Sequence, residues 1–206
     1  MEKSNLFFDP SNHTYTFDNK RVPSVSAILL EGGFINTQFY TEEGRTRGSA
    51  VHKAIEIHCR GAHCFQSPAI DSYMSAFKNF EKDCDWVSEI VEKPMGCPQY
   101  AGTPDLIGLF QGQKTIIDIK TSATLSPSYA LQLSAYEKLY RLSIPDVVFS
   151  DMPSMAIKRF VLQLTDGGKY ILTEYRERSD RYIWDAAVAI HHWRVNNKIS
   201  KGGYNG

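Results

Sequence analysis

Thr115-Ile116-Ile117-Asp118-Ile119-Lys120 decides how this chain is read. Threonine and isoleucine are β-branched and pack well on a pleated surface, so the stretch reads as a strand. A strand this apolar belongs inside a sheet, which leaves Asp118 and Lys120 at its end in need of partners or a function. Period two places Lys120 on the face of Asp118 and turns Ile119 into the core. Upstream, Tyr100 to Phe110 reads as another strand, joined to the first by the turn chemistry of Gln111-Gly112-Gln113-Lys114. An antiparallel hairpin of that length brings Asp105, early in one strand, and Asp118, late in the other, to one end of the sheet. There they are close enough to share a cation.

Outward from this hairpin, His13 to Phe17, Asp18-Asn19-Lys20 and Arg21-Val22-Pro23 read as a shorter one. Ser24 or Ser26 caps a brief helix through Leu30, ended by Gly32-Gly33. Apolar spacing predicts a helix from Gly48 to Cys59 and a second over 68–83, with Ile70, Met74, Phe77 and Phe80 near one face. Trp86 to Val91 reads as a strand. Ser126-Pro127 opens a helix to about Leu142 with a Leu131/Ala135/Leu139 stripe. Strands follow near 145–150, 156–164 and 168–175, the last two linked by Asp166-Gly167-Gly168. A final helix runs from about Ser179 to Asn196. This order predicts an α+β (mixed α/β) fold, not a doubly wound parallel sheet. The 206 residues suit one domain over 1–206: hairpin and helix over 1–45, a core over 46–150, and strands and a helix over 151–206.

Hydrophobic residues at 42% and charged residues at 22% are ordinary for a globular chain. No apolar stretch is long enough for a bilayer span, and Met1 to Asn5 is polar, so neither a membrane protein nor a signal peptide is expected. The expected compartment is a cytosol, the host's if the gene is viral. Cys59, Cys64, Cys84 and Cys97 match no common zinc spacing and read as reduced thiols. Net charge is zero, which argues mildly against a long nucleic-acid grip. Residues 61–110 nevertheless hold 3 basic and 7 acidic side chains, and residues 151–206 hold 9 basic and 6 acidic. That layout suits an acidic metal site beside a basic surface, and many enzymes show it by chance.

Asp105, Asp118 and Lys120 are the types that phosphodiester hydrolysis needs. Carboxylates are hard ligands for Mg²⁺ or Mn²⁺. Such an ion lowers the pKa of water and neutralises charge building on a phosphate. An adjacent ammonium orients the water and steadies that charge. An Asp-x-Lys triplet alone is more often a solvated ion pair, so its companions matter. Gly102-Thr103-Pro104-Asp105 combines a flexible residue, a φ-fixing residue and an acid, suited to a bend that aims one carboxylate. In the run from Arg47 to Glu56, His52 and Glu56 share a helix face, and Gly48 permits close approach, which makes His52 a candidate ligand. Gln132 and Tyr136 form a second i, i+4 pair on the following helix.

Together these residues resemble the RecB-like branch of the PD-(D/E)XK nucleases. Its four motifs occur in order as Arg47–His52, Gly102–Asp105, Asp118–Lys120 and Gln132–Tyr136, over roughly residues 45–140. Val22-Pro23-Ser24-Val25-Ser26 is also similar to phage-encoded and mitochondrial exonucleases of that branch. The resemblance implies a restriction-endonuclease-like αβββαβ core, a central mixed sheet flanked by helices. It implies metal ligation by His52, Asp105, Asp118 and the Ile119 carbonyl, with Lys120 as the catalytic lysine. Gln132 and Tyr136 would hold DNA or the catalytic groups. Glu92 stands where relatives often keep an acid, with Glu89 the alternative. No cysteine follows Cys97, so the iron–sulfur cluster of some members is not expected.

The implied activity is a Mg²⁺- or Mn²⁺-dependent DNA exonuclease of recombination, repair or replication, acting on linear DNA with a free end. A structure-specific endonuclease and a catalytically silent nucleic-acid-binding protein are the alternatives, and a hydrolase of small phosphoesters is a third. With no Gly-x-x-x-x-Gly-Lys loop, unwinding would fall to a helicase, single-strand-binding or recombination partner. Arg45 and Arg47 are candidates for phosphate contact, extended by Lys158, Arg159, Arg176, Arg178 and Arg181, although solvated surface charge is the better reading of each alone. Phe39, Tyr40 and Trp193 are candidates for base stacking, a role rarer than core filling. His191 and His192 point apart on a helix, and His58 and His63 lack a second ligand at useful spacing.

Overall fold

A computed structural model describes residues 6–36, 41–62, 67–144 and 156–199. In chain order it contains β1 (Leu6–Asp9), β2 (Thr14–Phe17), β3 (Lys20–Val22), α1 (Val25–Glu31), α2 (Glu42–Cys59) and α3 (Asp71–Asp83). There follow β4 (Trp86–Val91), β5 (Met95–Cys97), β6 (Tyr100–Gly102), β7 (Leu106–Phe110), β8 (Gln113–Lys120) and α4 (Ser128–Ser143). Last come β9 (Lys158–Leu164), β10 (Tyr170–Glu174) and α5 (Ser179–Asn196). The strand expected near 145–150, with Phe39, Tyr40, His63 and Cys64, lies outside the described residues.

Among the described residues the strands form a five-stranded sheet in the order β10-β9-β8-β7-β4, a β1-β2-β3 meander and a β5-β6 pair. In the large sheet β8 and β9 run parallel and the other neighbours antiparallel. The sheet is therefore mixed, and α4 supplies the crossover that two parallel strands require. β8 is buried from Thr115 to Ile119 because both its faces are covered. Ile116 packs with residues of α1, α4 and α5, whereas Ile117 and Ile119 pack with residues of α2 and α3. Phe77, Phe80 and Ile55 fill the second layer and are fully buried, each stabilising the fold by about 1.5–3 kcal/mol. By the same alternation Asp118 and Lys120 stand on the α4 side.

Several boundaries differ from expectation for local reasons. The strand expected from Tyr100 to Phe110 is two, because Pro104 offers no ladder N–H and the chain bends through Thr103-Pro104-Asp105. α2 begins at Glu42, well before Gly48: Thr41 accepts the Gly44 N–H at 3.1 Å, and Glu42 and Glu43 sit at the positive end of the helix. The β7–β8 turn is Gln111-Gly112 alone, with φ of 50° and 75°, so the hairpin closes at Phe110 and Gln113.

Glu89 is the extra residue of a bulge, since Ser88 pairs with Gly108 and Ile90 with Ile107. A Cβ on Gly108 would run into the Val87 carbonyl oxygen and lie 2.9 Å from the Trp86 ring. Gly108→Ala is expected to destabilise the protein by about 1–3 kcal/mol through overpacking, read as a lower urea midpoint. An unchanged midpoint would mean that the strands separate freely there.

Candidate metal centre

The candidate ligands meet at the C-terminal end of β8. The register Leu106↔Ile117 sets Asp105, in the bend before β7, across from Asp118. Asp105 Oδ2 accepts the Ile119 N–H at 2.6 Å, a charge-assisted bond that fixes the carboxylate. Asp105 Oδ1 lies 3.3 Å from His52 Nδ1. α2 passes Thr121, whose hydroxyl is 3.6 Å from where a Gly48 Cβ would stand. It thereby brings His52 to β8, where Nε2 donates to the Ile119 carbonyl at 3.1 Å. Glu92, just after β4, places Oε1 3.5 Å from His52 Nδ1. Its φ is 46° and its N–H donates to the Asp105 carbonyl at 2.9 Å. A non-glycine residue held there stores about 1–3 kcal/mol of strain.

His52, Glu92 and Asp105 each offer a ligand atom within 4.8 Å of the others. Asp118 does not join that cluster. Its side chain is 1% exposed, its Oδ2 takes the Lys120 ammonium at 2.7 Å, and its Oδ1 receives no hydrogen bond. A buried carboxylate with one oxygen left in that state has room for a cation besides the ammonium. The Ile119 carbonyl faces the other ring nitrogen, Nε2, at 3.1 Å, so the donors around Nδ1 are the Asp105 and Glu92 carboxylates, 3.3 and 3.5 Å away. Those separations approach the roughly 3 Å edges of an octahedral shell with bonds of about 2.1 Å. The residues present fit a hard divalent cation.

The charges are tightly linked. Burial opposes a charged His52, but the Asp105 and Glu92 carboxylates outweigh it and raise the imidazole to about 10. Burial also works against ionised Asp105, and His52, Lys120 and the Ile119 N–H overcome it, so Asp105 stays below its usual value. Asp118 goes the other way: burial, only partly countered by Lys120 and reinforced by Asp105, raises it to about 6. Burial lifts Glu92 as well. Lys120 is disfavoured by burial, but Asp118 and Asp105 more than compensate and hold it protonated.

The His52 shift predicts a pH effect in cation-free protein. Its value rises from 6.5 to about 10, so its contribution to stability is full below pH 6.5 and lost as the pH climbs through 10. Urea midpoints in EDTA should fall across that window further for wild type than for His52→Gln. Equal falls would show that the imidazolium contributes nothing.

From the other side α4 presents Tyr129, Gln132 and Tyr136 at i, i+3 and i+7, on one helix face. Gln132 Nε2 donates to Tyr136 Oη at 3.1 Å. The buried Tyr136 hydroxyl is kept protonated by burial and by Asp118 and Asp105. Gly102 is not left-handed; a Cβ there would lie 2.8 Å from the Tyr136 ring and 3.0 Å from Val25. The bend therefore belongs to Pro104, and the glycine makes room for Tyr136. Tyr129, which the motifs did not single out, places its ring centroid 4.8 Å from Lys120 Nζ. Its place one turn before Gln132 on the same face was the available signal.

A cleft of about 430 Å³ opens onto His52, Glu92 and Asp105, with Lys53 and Glu56 beside them, while Asp118 and Lys120 are absent from its lining. The N-terminal segment supplies another wall through His13, Tyr15, Ser24 and Ser26. Tyr15 anchors that wall, with its hydroxyl 2.8 Å from Thr103 Oγ1.

The other candidates fall elsewhere. Arg47 is 5.9 Å from the Tyr73 ring centroid and outside the cleft lining. Glu56 pairs with Lys53 at 2.8 Å and Arg60 at 2.9 Å. Glu89 pairs with Lys114 and is absent from the lining, so of the two glutamates it is Glu92 that reaches His52. Arg159 is buried and, with Arg141 and Arg181, surrounds the buried Glu137, which interrupts the expected basic track. Arg176 is exposed beside Glu174, Lys158 lies over Phe110, and Trp193 is exposed on α5. His58 pairs with Glu81, His191 with Glu31, and His192 donates to the Gln99 carbonyl. Cys59, Cys84 and Cys97 are free thiols. No described helix is long and apolar enough to cross a membrane.

Helices on both faces of a mixed sheet, with an acid–imidazole cluster at the end of its central strand, define an α+β fold with a candidate cation centre. The chain shares this fold with a protein from Eubacterium rectale provisionally assigned as an exonuclease, at 12% identity over 85% of this chain and 74% of that chain, with a TM-score of 0.51. A looser likeness joins it to an alkaline exonuclease, LHK-Exo, from Laribacter hongkongensis, at 12% identity over 73% of this chain and 80% of that chain, with a TM-score of 0.37. At 12% identity the likeness to the Eubacterium rectale protein is one of fold. No protein-family model and no curated protein matches the chain.

Proposed function

We propose that residues 1–206 form one nuclease domain of the RecB-like PD-(D/E)XK branch, a divalent-metal-dependent DNA exonuclease of recombination, repair or replication. The observation that carries the reading is the buried Asp118 carboxylate, paired with the Lys120 ammonium through Oδ2 and with Oδ1 free of a donor, beside Asp105 and His52. The fold shared with the Eubacterium rectale protein supports it. Asp105, Asp118, His52 and the Ile119 carbonyl would hold Mg²⁺ or Mn²⁺, with Glu92 an added acid. Such an ion would acidify water and neutralise charge on the phosphate.

The chain's own groups do the rest. Lys120 stays protonated, so it acts as a fixed positive charge that orients water and steadies the phosphate, not as a base. The Tyr136 hydroxyl accepts from Gln132 and keeps its own hydrogen to donate towards a phosphate oxygen. Water attacks phosphorus in line and gives its proton to solvent, and the 3′-oxygen departs and takes up a proton from solvent, leaving the 5′-phosphate that the family resemblance implies. The substrate is linear DNA with a free end, delivered by a helicase, single-strand-binding or recombination partner.

End-labelled single- and double-stranded DNA, linear and circular, tests the reading with Mg²⁺, Mn²⁺ or EDTA. Linear DNA should be degraded with metal and survive in EDTA. Substrates left intact with both metals would favour the catalytically silent binding protein. Circles cut as readily as linear molecules would remove the exonuclease label and keep the nuclease.

A further inference from the structure

The ammonium of Lys120 rides on a flexible four-carbon stem, and its ion-pair partner is Asp118, 2.7 Å away. Asp118 is also the carboxylate that a cation would claim. Something else must hold the ammonium while that carboxylate is engaged. We propose that Tyr129 is a positioning residue for Lys120, its ring face fixing Nζ beside the site independently of Asp118.

The centroid-to-Nζ distance of 4.8 Å is within the reach of about 6 Å over which a cation is drawn to an aromatic face. That attraction uses no lone pair and no Asp118 oxygen, so it persists when the carboxylate turns to a cation. The ring is carried on a firm base: the Tyr129 N–H donates to the Ser126 carbonyl at 3.1 Å, in the first turn of the helix that also presents Gln132 and Tyr136.

The positional half of the proposal stands on geometry, and its functional half rests on the nuclease reading, so two measurements separate them. In metal-free protein carrying labelled lysine, the ring current of Tyr129 should shift the Lys120 side-chain resonances upfield, and Tyr129→Leu should return them to ordinary lysine positions. Unshifted wild-type resonances overturn the proposal and leave the nuclease reading untouched. In cleavage of linear DNA with Mg²⁺, position 129 is then filled with phenylalanine and with phenylalanines of increasing ring fluorination. These keep the shape while draining negative charge from the ring face. Across the series kcat should fall stepwise by about threefold to thirtyfold with KM unchanged. A flat series, or a loss confined to KM, overturns the functional half. If wild type cleaves nothing, the nuclease reading falls, and the resonance shifts still decide whether Tyr129 holds the ammonium.

Discussion

Lys120→Ala is expected to slow DNA cleavage by about 10²–10³-fold in a protein that remains folded and still takes up metal, the loss typical of removing one fixed donor from a transition state. The side chain is half-buried against Asp118 and Tyr129, so its ammonium is partly desolvated and pre-placed. Lys120→Arg should not restore the rate, because a planar guanidinium cannot occupy the same corner as a compact ammonium. The check is single-turnover cleavage of end-labelled DNA beside a thermal scan. An alanine variant within about threefold of wild type would show that the lysine serves only the ion pair.

The second large effect is on stability. Asp118, Asp105 and Glu92 place negative charge in a small volume, and Asp118 ionises only near pH 6. Mg²⁺ or Mn²⁺ at about a hundred times its dissociation constant should stabilise the fold by about 2.7 kcal/mol. In a chain of this length that is roughly 5–10 °C in Tm. The sign with pH follows from the raised value. Without a cation, the favourable contribution of Asp118 is present below 3.8 and lost as the pH rises through about 6. The metal-induced rise should therefore fade towards 3.8, where protons displace the cation from Asp118, and grow above pH 6, further still as His52 gives up its proton towards pH 10. Asp118→Asn should abolish most of it. An equal rise in that variant would place the cation elsewhere.

How far the site is legible in the sequence depends on how far apart its parts lie. The β7–β8 hairpin is written locally, in β-branched residues and a two-residue turn, so the opposition of Asp105 and Asp118 can be read directly. Glu92 is harder, because its reach to His52 depends on the Glu89 bulge and a left-handed residue that simple alternation does not anticipate. Arg47 shows the limit of motif spacing: five helical residues turn a side chain by about 140° from His52, off the cleft and onto Tyr73. The Tyr15 wall is not legible at all. It rests on a hydrogen bond to Thr103, remote in sequence, and on packing that no local pattern encodes.

The bond between Asp105 and the Ile119 amide also bears on which ion the centre admits. With Oδ2 already accepting that N–H, Oδ1 is the Asp105 oxygen turned towards His52 and free of a main-chain donor. Single-handed ligands on a stiff strand pair suit a small ion wanting six contacts at about 2.0–2.1 Å, and serve poorly one that seeks six to eight oxygens at about 2.3–2.6 Å and grips carboxylates by both arms. Calcium should thus be a poor substitute for magnesium here, a preference set by one main-chain amide.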